Sequence, residues 1–226
     1  MDAALIVSGW KKGQFSPFYW LEGEDDYFID QVVDAAENSL LSASEASFNL
    51  TVMYGRESNW SDVLTNCRRY PMFSERQVVI IKEAQYMRDI EKLEPYFENP
   101  LVSTVLVIAY KEKKLDNRKK FAKTIKEKGT YVSFKKQTER EIAEWTASKF
   151  KAAGLRITDR ALILFTDHLG SDRSRIEKEI EKLVLNKNEE QEITEDVIEK
   201  YVGVSKEHNV FELQAALAQR DFLKAF

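Results

Sequence analysis

A single cysteine, Cys67, and two histidines, His168 and His208, are all the Cys/His ligands this chain can offer a metal. One thiol cannot close an internal disulfide, and three such residues cannot assemble a four-ligand zinc site. No apolar run approaches the roughly 18–20 residues of a bilayer-spanning helix. Residues 1–10 have neither the basic start nor the cleavage site of a secretory signal. Internal repeats and low-complexity segments are missing too. A net charge of -4 speaks against a strongly basic nucleic-acid binder acting alone. A reducing, cytoplasmic setting is the expectation.

What is present is the composition of an ordinary globular protein, in a chain of 226 residues that can bury a substantial core. Aromatic or β-branched runs at 18–22, 48–54, 77–81, 103–109 and 131–134 read as strands. Between them, three- and four-residue apolar spacing predicts helices at 25–41, 59–68, 89–97 and 116–128. Asn59 suits the start of the second, and Gly129 the stop of the last. Alternation of this kind implies a parallel sheet covered on both faces by right-handed crossovers.

After residue 134 the strands cease. Thr138 and Glu141 have capping-box spacing. The helix they open carries Ile142, Trp145, Phe150 and Ala153 on one stripe and stops at Gly154. Further helices are expected from Thr158 to Gly170, over 172–186 (burying Ile176, Ile180, Leu183 and Val184) and over 194–202 (burying Val197, Ile198 and Tyr201). Another begins near Asn209, with Val210, Phe211, Leu213 and Leu217. Its pattern is unfinished at Phe226, so a truncation is expected, with more helix to follow. The expected division is an α/β domain at 1–136, a small helical domain at 137–205 and the beginning of a third, helical domain at 206–226.

A parallel sheet followed by a small helical domain is the plan of the AAA+ nucleotide hydrolases. Such an enzyme needs a Gly-rich loop after its first strand, with Lys and Ser or Thr for phosphate and magnesium. Here the turn offers Gly23, Glu24, Asp25 and Asp26, and no Gly-Lys pair occurs in the chain. Three carboxylates would repel a nucleotide, so the loop reads as degenerate and no cofactor is expected. The same carboxylates could be magnesium ligands of a nuclease. Acidic residues also favour a helix's first turn for the sake of its dipole. The basic run Lys111, Lys113, Lys114, Arg118, Lys119, Lys120 and Lys123 could meet phosphates or form a solvated helix face. His168 and Cys67 read as packing residues, since nothing beside them completes a nucleophile–base pair.

The stretch CRRYPMFSERQ at 67–77 is different. Tyr70, Pro71, Met72 and Phe73 are four consecutive bulky residues in the joint between a helix and a strand. Joints run over the surface, and exposed hydrocarbon there suits a partner that covers it. Folding back to cap the core is the alternative.

Five segments, taken in order, resemble the delta-subunit family of bacterial DNA polymerase III clamp loaders. They are WLEGEDDYFI at 20–29, PMFSERQVVI at 71–80 and LDNRKK at 115–120 leading to Gly129 and Phe134. The fourth is Gly170 and Asp172 with Ile176, Glu179, Ile180, Lys182 and Leu183. The fifth is Ile193, Thr194 and Val197 with Phe211 and Ala215. The resemblance implies an AAA+-like (RecA-like) domain without ATPase activity, an all-α lid and an α-helical collar, here only begun. It implies that Tyr70, Pro71, Met72 and Phe73 form a clamp-binding element, entering an apolar pocket on the sliding clamp (beta). Met72 stands where members often carry Leu, a swap that conserves volume. It also implies motor and delta-prime partners reached through the collar, DNA met only within the complex, and no catalytic site inside the polymerase holoenzyme, a nucleotidyltransferase. Alternatives are a delta-prime-like subunit, or the magnesium nuclease built on Glu24, Asp25 and Asp26.

Overall fold

The computed structural model describes residues 3–186 and 192–203. The chain divides into two compact units between Lys136 and Gln137, each with its own hydrophobic core.

In the first unit five strands form one parallel sheet: β1 (Phe18–Gly23), β2 (Leu50–Tyr54), β3 (Gln77–Lys82), β4 (Thr104–Lys111) and β5 (Thr130–Phe134). Their order is β2-β3-β4-β1-β5. Helices α1 (Ala3–Lys11), α2 (Asp26–Ser39), α3 (Ala43–Asn49), α4 (Trp60–Cys67), α5 (Glu94–Glu98) and α6 (Lys120–Lys128) connect and cover them. Because strand side chains alternate between faces, Tyr19, Leu21, Val78, Ile80 and Val107 pack with Ile6 and Trp10 of α1 and Ile29, Val32 and Val33 of α2. Phe18, Trp20, Val79, Ile81 and Ile108 turn the other way, toward Val63 and Cys67 of α4, Phe97 of α5, and Phe121 and Ile125 of α6. Burial on both faces is why the middles of β3 and β4 are continuous apolar runs.

The parallel sheet is the expected one, and several boundaries are not. Residues 48 and 49 belong to α3, not to a strand, and Ser42 and Glu45 close a reciprocal capping box at its start. The expected helix at 89–97 is a 3-10 turn, Ile90–Leu93, running into α5. The one expected at 116–128 begins only at Lys120. Ahead of it, the Asp116 carboxylate takes the backbone and side-chain N–H groups of Arg118. That local bond competes with helix formation.

Gly129 ends α6 for another reason than expected. Its backbone is extended (φ -131°), not left-handed. A Cβ there would lie 2.1 Å from the Phe18 ring, which is buried against Phe97 at 4.7 Å between centroids. Gly129→Ala is therefore expected to destabilise the fold by about 1–3 kcal/mol through overpacking. Urea denaturation checks this, and an unchanged midpoint would contradict it.

The second unit holds α7 (Glu139–Ala152), α8 (Asp159–Leu169), α9 (Arg173–Leu185) and α10 (Glu195–Val202). The Thr138–Glu141 capping box forms as the spacing predicts. Gly154 and Gly170 take the positive φ values of helix stops. Phe150 meets Phe165 edge to face at 5.1 Å, above Ile142, Ile176, Ile180, Leu183 and Ile198. Ala153, Val184 and Tyr201, expected inside, are exposed; each sits in or beside the last turn of its helix, where the stripe has rotated off the core. An isolated parallel bridge joins Ile157 to Ile193. The expected helix from Asn209 lies outside the described residues. Among the described residues no helix is long and apolar enough to cross a membrane.

Candidate functional site

In an open parallel sheet the ligand crevice lies at the carboxyl ends of the strands, where strand order reverses. Here that place is the end of β1, between β4 and β5: Gly23 is in register with Lys111 on one side and Phe134 on the other. Only Glu24 and Asp25 separate β1 from α2. The backbone N–H groups of both are directed to the Phe134 carbonyl, at 2.9 and 3.4 Å. The Gly23 carbonyl accepts from the Glu112 N–H at 2.7 Å. Gly23 itself is required, since a Cβ would lie 1.9 Å from the Phe134 oxygen. Two of the groups that a phosphate loop turns toward its ligand, the Glu24 and Asp25 N–H, are thus spent within the chain.

The side chains continue this closure. Lys114 donates to Glu24 at 3.0 Å and Lys111 to Asp30 at 2.7 Å, with Asp26 3.9 Å away. Burial raises the Asp26 carboxyl above its ordinary value, while Lys111 opposes the shift. Among the described residues no group of three or more His, Cys, Asp or Glu side chains is placed to hold a metal ion. Along the basic run, Arg118 meets Asp116, Lys119 meets Glu91, and Lys120 meets Glu98, so much of its charge is compensated.

Beneath this surface lies Glu22, 2% exposed in an aromatic strand. Its carboxylate accepts from the Trp20 indole at 3.1 Å, the Leu115 N–H at 2.9 Å and the Tyr131 hydroxyl. Burial first, and the Glu22 contact second, push the Tyr131 phenol up to about 12. Glu22 thereby fastens the segment after β4 across the end of β1. A lone charge inside an apolar strand was the available signal for it, and the sequence reading passed over it.

The bulky joint lies elsewhere in the same unit. α4 is capped by Asn59, whose side chain accepts from the Ser61 and Asp62 N–H groups at 2.9 and 3.0 Å. The helix ends at Cys67, a fully buried thiol that burial pushes up to about 12, far from the reactive range. Residues 68–76 then leave the core and return at β3. The base of this excursion is tied shut. The Gln77 Nε2 lies 2.6 Å from the Arg69 carbonyl, 3.0 Å from that of Asn66 and 2.8 Å from the Thr104 hydroxyl. Thr104 in turn donates to the Cys67 carbonyl at 2.9 Å.

At the tip the side chains face water: Tyr70 is 76% exposed, Met72 46% and Phe73 92%, with Pro71 half-buried. Folding back onto the core is not what these residues do. Phe73 has φ +55°, a left-handed conformation that costs a side-chain-bearing residue about 1–2 kcal/mol. Two residues of α3 hold its neighbours. The buried Asn49 amide accepts from the Met72 N–H at 2.7 Å and donates to the Met72 carbonyl at 2.8 Å. Glu45 accepts from the Ser74 hydroxyl at 2.8 Å. The sequence reading missed both. The Ser42–Glu45 capping-box spacing could have marked α3, but no local pattern announces a bond across 23 residues.

Glu45 also makes the region acid-sensitive. Hydrogen bonds from the Ser42 side chain, then the Ser42 N–H, then Ser74 lower its carboxyl from 4.5 to about 2. Its folded value is depressed, so its stabilising contribution is present above 4.5 and disappears as pH falls through about 2. An NMR titration of the Glu45 carboxyl is expected to show a midpoint near 2, moving toward 4.5 in Ser42→Ala. A midpoint at 4.5 in the unaltered chain would contradict the bonding pattern.

Comparison with known proteins bears on both regions. A family model described as "DNA polymerase III, delta subunit" matches residues 19–135, a span that contains the closed β1 end and the exposed joint. The chain is 27% identical to DNA polymerase III subunit delta of Bacillus subtilis, over 96% of this chain and 66% of that protein. It is 24% identical to the probable DNA polymerase III subunit delta of Aquifex aeolicus, over 91% of this chain and 60% of that one. It therefore spans somewhat less than two thirds of the length of these curated relatives. The solved Bacillus subtilis DNA clamp loader delta protein superposes with a TM-score of 0.72 at 25% identity, over 99% of this chain and 69% of that one. On the match over 19–135, this chain belongs to the DNA polymerase III delta-subunit family.

Proposed function

We propose that the chain is the clamp-contacting subunit of a clamp loader, docking on the sliding clamp (beta) through Met72 and Phe73, with Tyr70 and Pro71 beside them. The observation that carries this reading is the exposure of the Phe73 ring on a backbone held at both flanking residues. Hydrocarbon kept in water on a fixed support is what a partner's pocket can use, because little ordering remains to be done on binding. Burying Phe73 would contribute about 1.5–3 kcal/mol and the half-buried Met72 roughly half as much, enough for a central anchor pair.

The work is done by binding energy. A ring clamp fluctuates between closed and cracked forms, and a partner that prefers the cracked form shifts the population by its differential affinity. On this reading the β1 end takes no nucleotide; the Glu24 and Asp25 N–H groups and the lysines Lys111 and Lys114 that are engaged within the chain support it. Control by ATP then belongs to the motor subunits, and delta-prime and the motors are met through a collar. Nucleotidyl transfer belongs to the polymerase, DNA is met only within the complex, and the setting is the cytoplasm, where a bacterial chromosome is replicated. The pairing of Glu24 with Lys114 weighs against the nuclease alternative. Titrating the chain with the sliding clamp of the same organism tests the proposal: saturable binding supports it, and no binding at tens of micromolar would sink it.

A further inference from the structure

We infer that Asn49 is a positioning residue for the exposed element, with Glu45 as its second. Its buried amide fixes Met72, Glu45 fixes Ser74, and Phe73 between them is thereby kept left-handed with its ring in solvent. This rests on the clamp-docking reading above, and deepens it by naming what aims the anchor.

A non-glycine residue at φ +55° persists only where its surroundings over-determine it. Here they do so on both sides. Asn49 is 3% exposed and uses its amide as a strand would use its backbone, offering an acceptor to the Met72 N–H and a donor to the Met72 carbonyl. A second bond from its Nδ2 to the Glu45 carbonyl at 3.1 Å anchors it within α3. Glu45, one helical turn earlier, is locked by Ser42 and extends its other oxygen to Ser74. The two α3 residues face the two chain neighbours of Phe73, and none of their three bonds touches the ring. A device of this kind acts on where the ring points, and leaves its chemistry alone.

The test is a double-mutant cycle with the sliding clamp, joined to a clamp-free measurement. Asn49→Ala is expected to weaken clamp binding about tenfold in the unaltered background and less than about twofold in a background carrying both Met72→Ala and Phe73→Ala, because a residue acting through these two side chains then has nothing left to position. Without the clamp, Asn49→Ala should speed chymotrypsin cleavage after Phe73 about tenfold, as expected for a loosened exposed loop. If a thermal scan shows that Asn49→Ala does not fold, Asn49→Asp replaces it, keeping the acceptor for the Met72 N–H and losing the donor to its carbonyl. Additive losses across the cycle, or unchanged cleavage, would overturn the inference. If Met72→Ala combined with Phe73→Ala leaves binding intact, the docking reading fails instead, and the cleavage rate still decides the positioning role.

Discussion

Met72→Ala combined with Phe73→Ala is expected to leave the fold standing and to weaken clamp binding by at least about 2 kcal/mol, roughly thirtyfold. The two halves of this result have different causes. Phe73 is 92% exposed and Met72 46%, so truncating them forfeits little burial within the chain. The backbone ties at Met72 run through its N–H and carbonyl, which alanine keeps. The base of the excursion is held by Gln77 and Thr104, which the substitutions do not touch. Against the clamp the same atoms would be buried at the centre of the contact, where truncation costs most. Equilibrium binding with a parallel thermal scan separates the two effects. A collapsed melting temperature with unchanged affinity would assign these side chains to the core instead.

A large loss of stability, about 2–3 kcal/mol, is expected from Glu22→Leu, since a buried donor left unpaired, here the Trp20 indole, costs about 1–3 kcal/mol and the half-buried Leu115 N–H and Tyr131 hydroxyl add less. Three donors converge on the Glu22 carboxylate: the Trp20 indole, the Leu115 N–H and the Tyr131 hydroxyl. Leucine fills similar space and accepts from none of them. Glu22→Gln keeps one acceptor oxygen and is expected to fall between the two. Because Leu115 follows β4 and Tyr131 lies on β5, the loss also loosens the segment that closes the β1 end. Urea denaturation gives the stability, and hydrogen exchange at Leu115 reports the loosening. A Glu22→Leu protein as stable as the unaltered one would show that the carboxylate is no keystone.

How much of this was legible in the sequence depends on the range of the interaction. Val78 to Ile81 and Val105 to Ile108 announce doubly covered strands by their own side chains, and both lie where expected. Thr138 and Glu141 announce a helix start, and make one. α3 was hidden because Phe48 sits ahead of the β-branched run at 51–52 and reads as its first residue. Competing against that pattern was a helix of only seven residues. The exposure of Tyr70, Met72 and Phe73 follows from charge on both sides and a position between elements. Their support does not follow, since the bond from Asn49 to Met72 joins residues 23 apart. Likewise the degeneracy of the β1 turn is written in Glu24, Asp25 and Asp26, whereas its closure by Lys111, Lys114 and Phe134 needs the sheet order that brings β4 and β5 alongside.

A photo-crosslinking phenylalanine analogue in place of Phe73, irradiated with the sliding clamp of the same organism, tests the docking claim at the atom concerned. A dominant cross-link from position 73 to one apolar pocket of the clamp, lost on adding excess unlabelled chain, is the expected result. Tight clamp binding that persists with no cross-link from that position would contradict it.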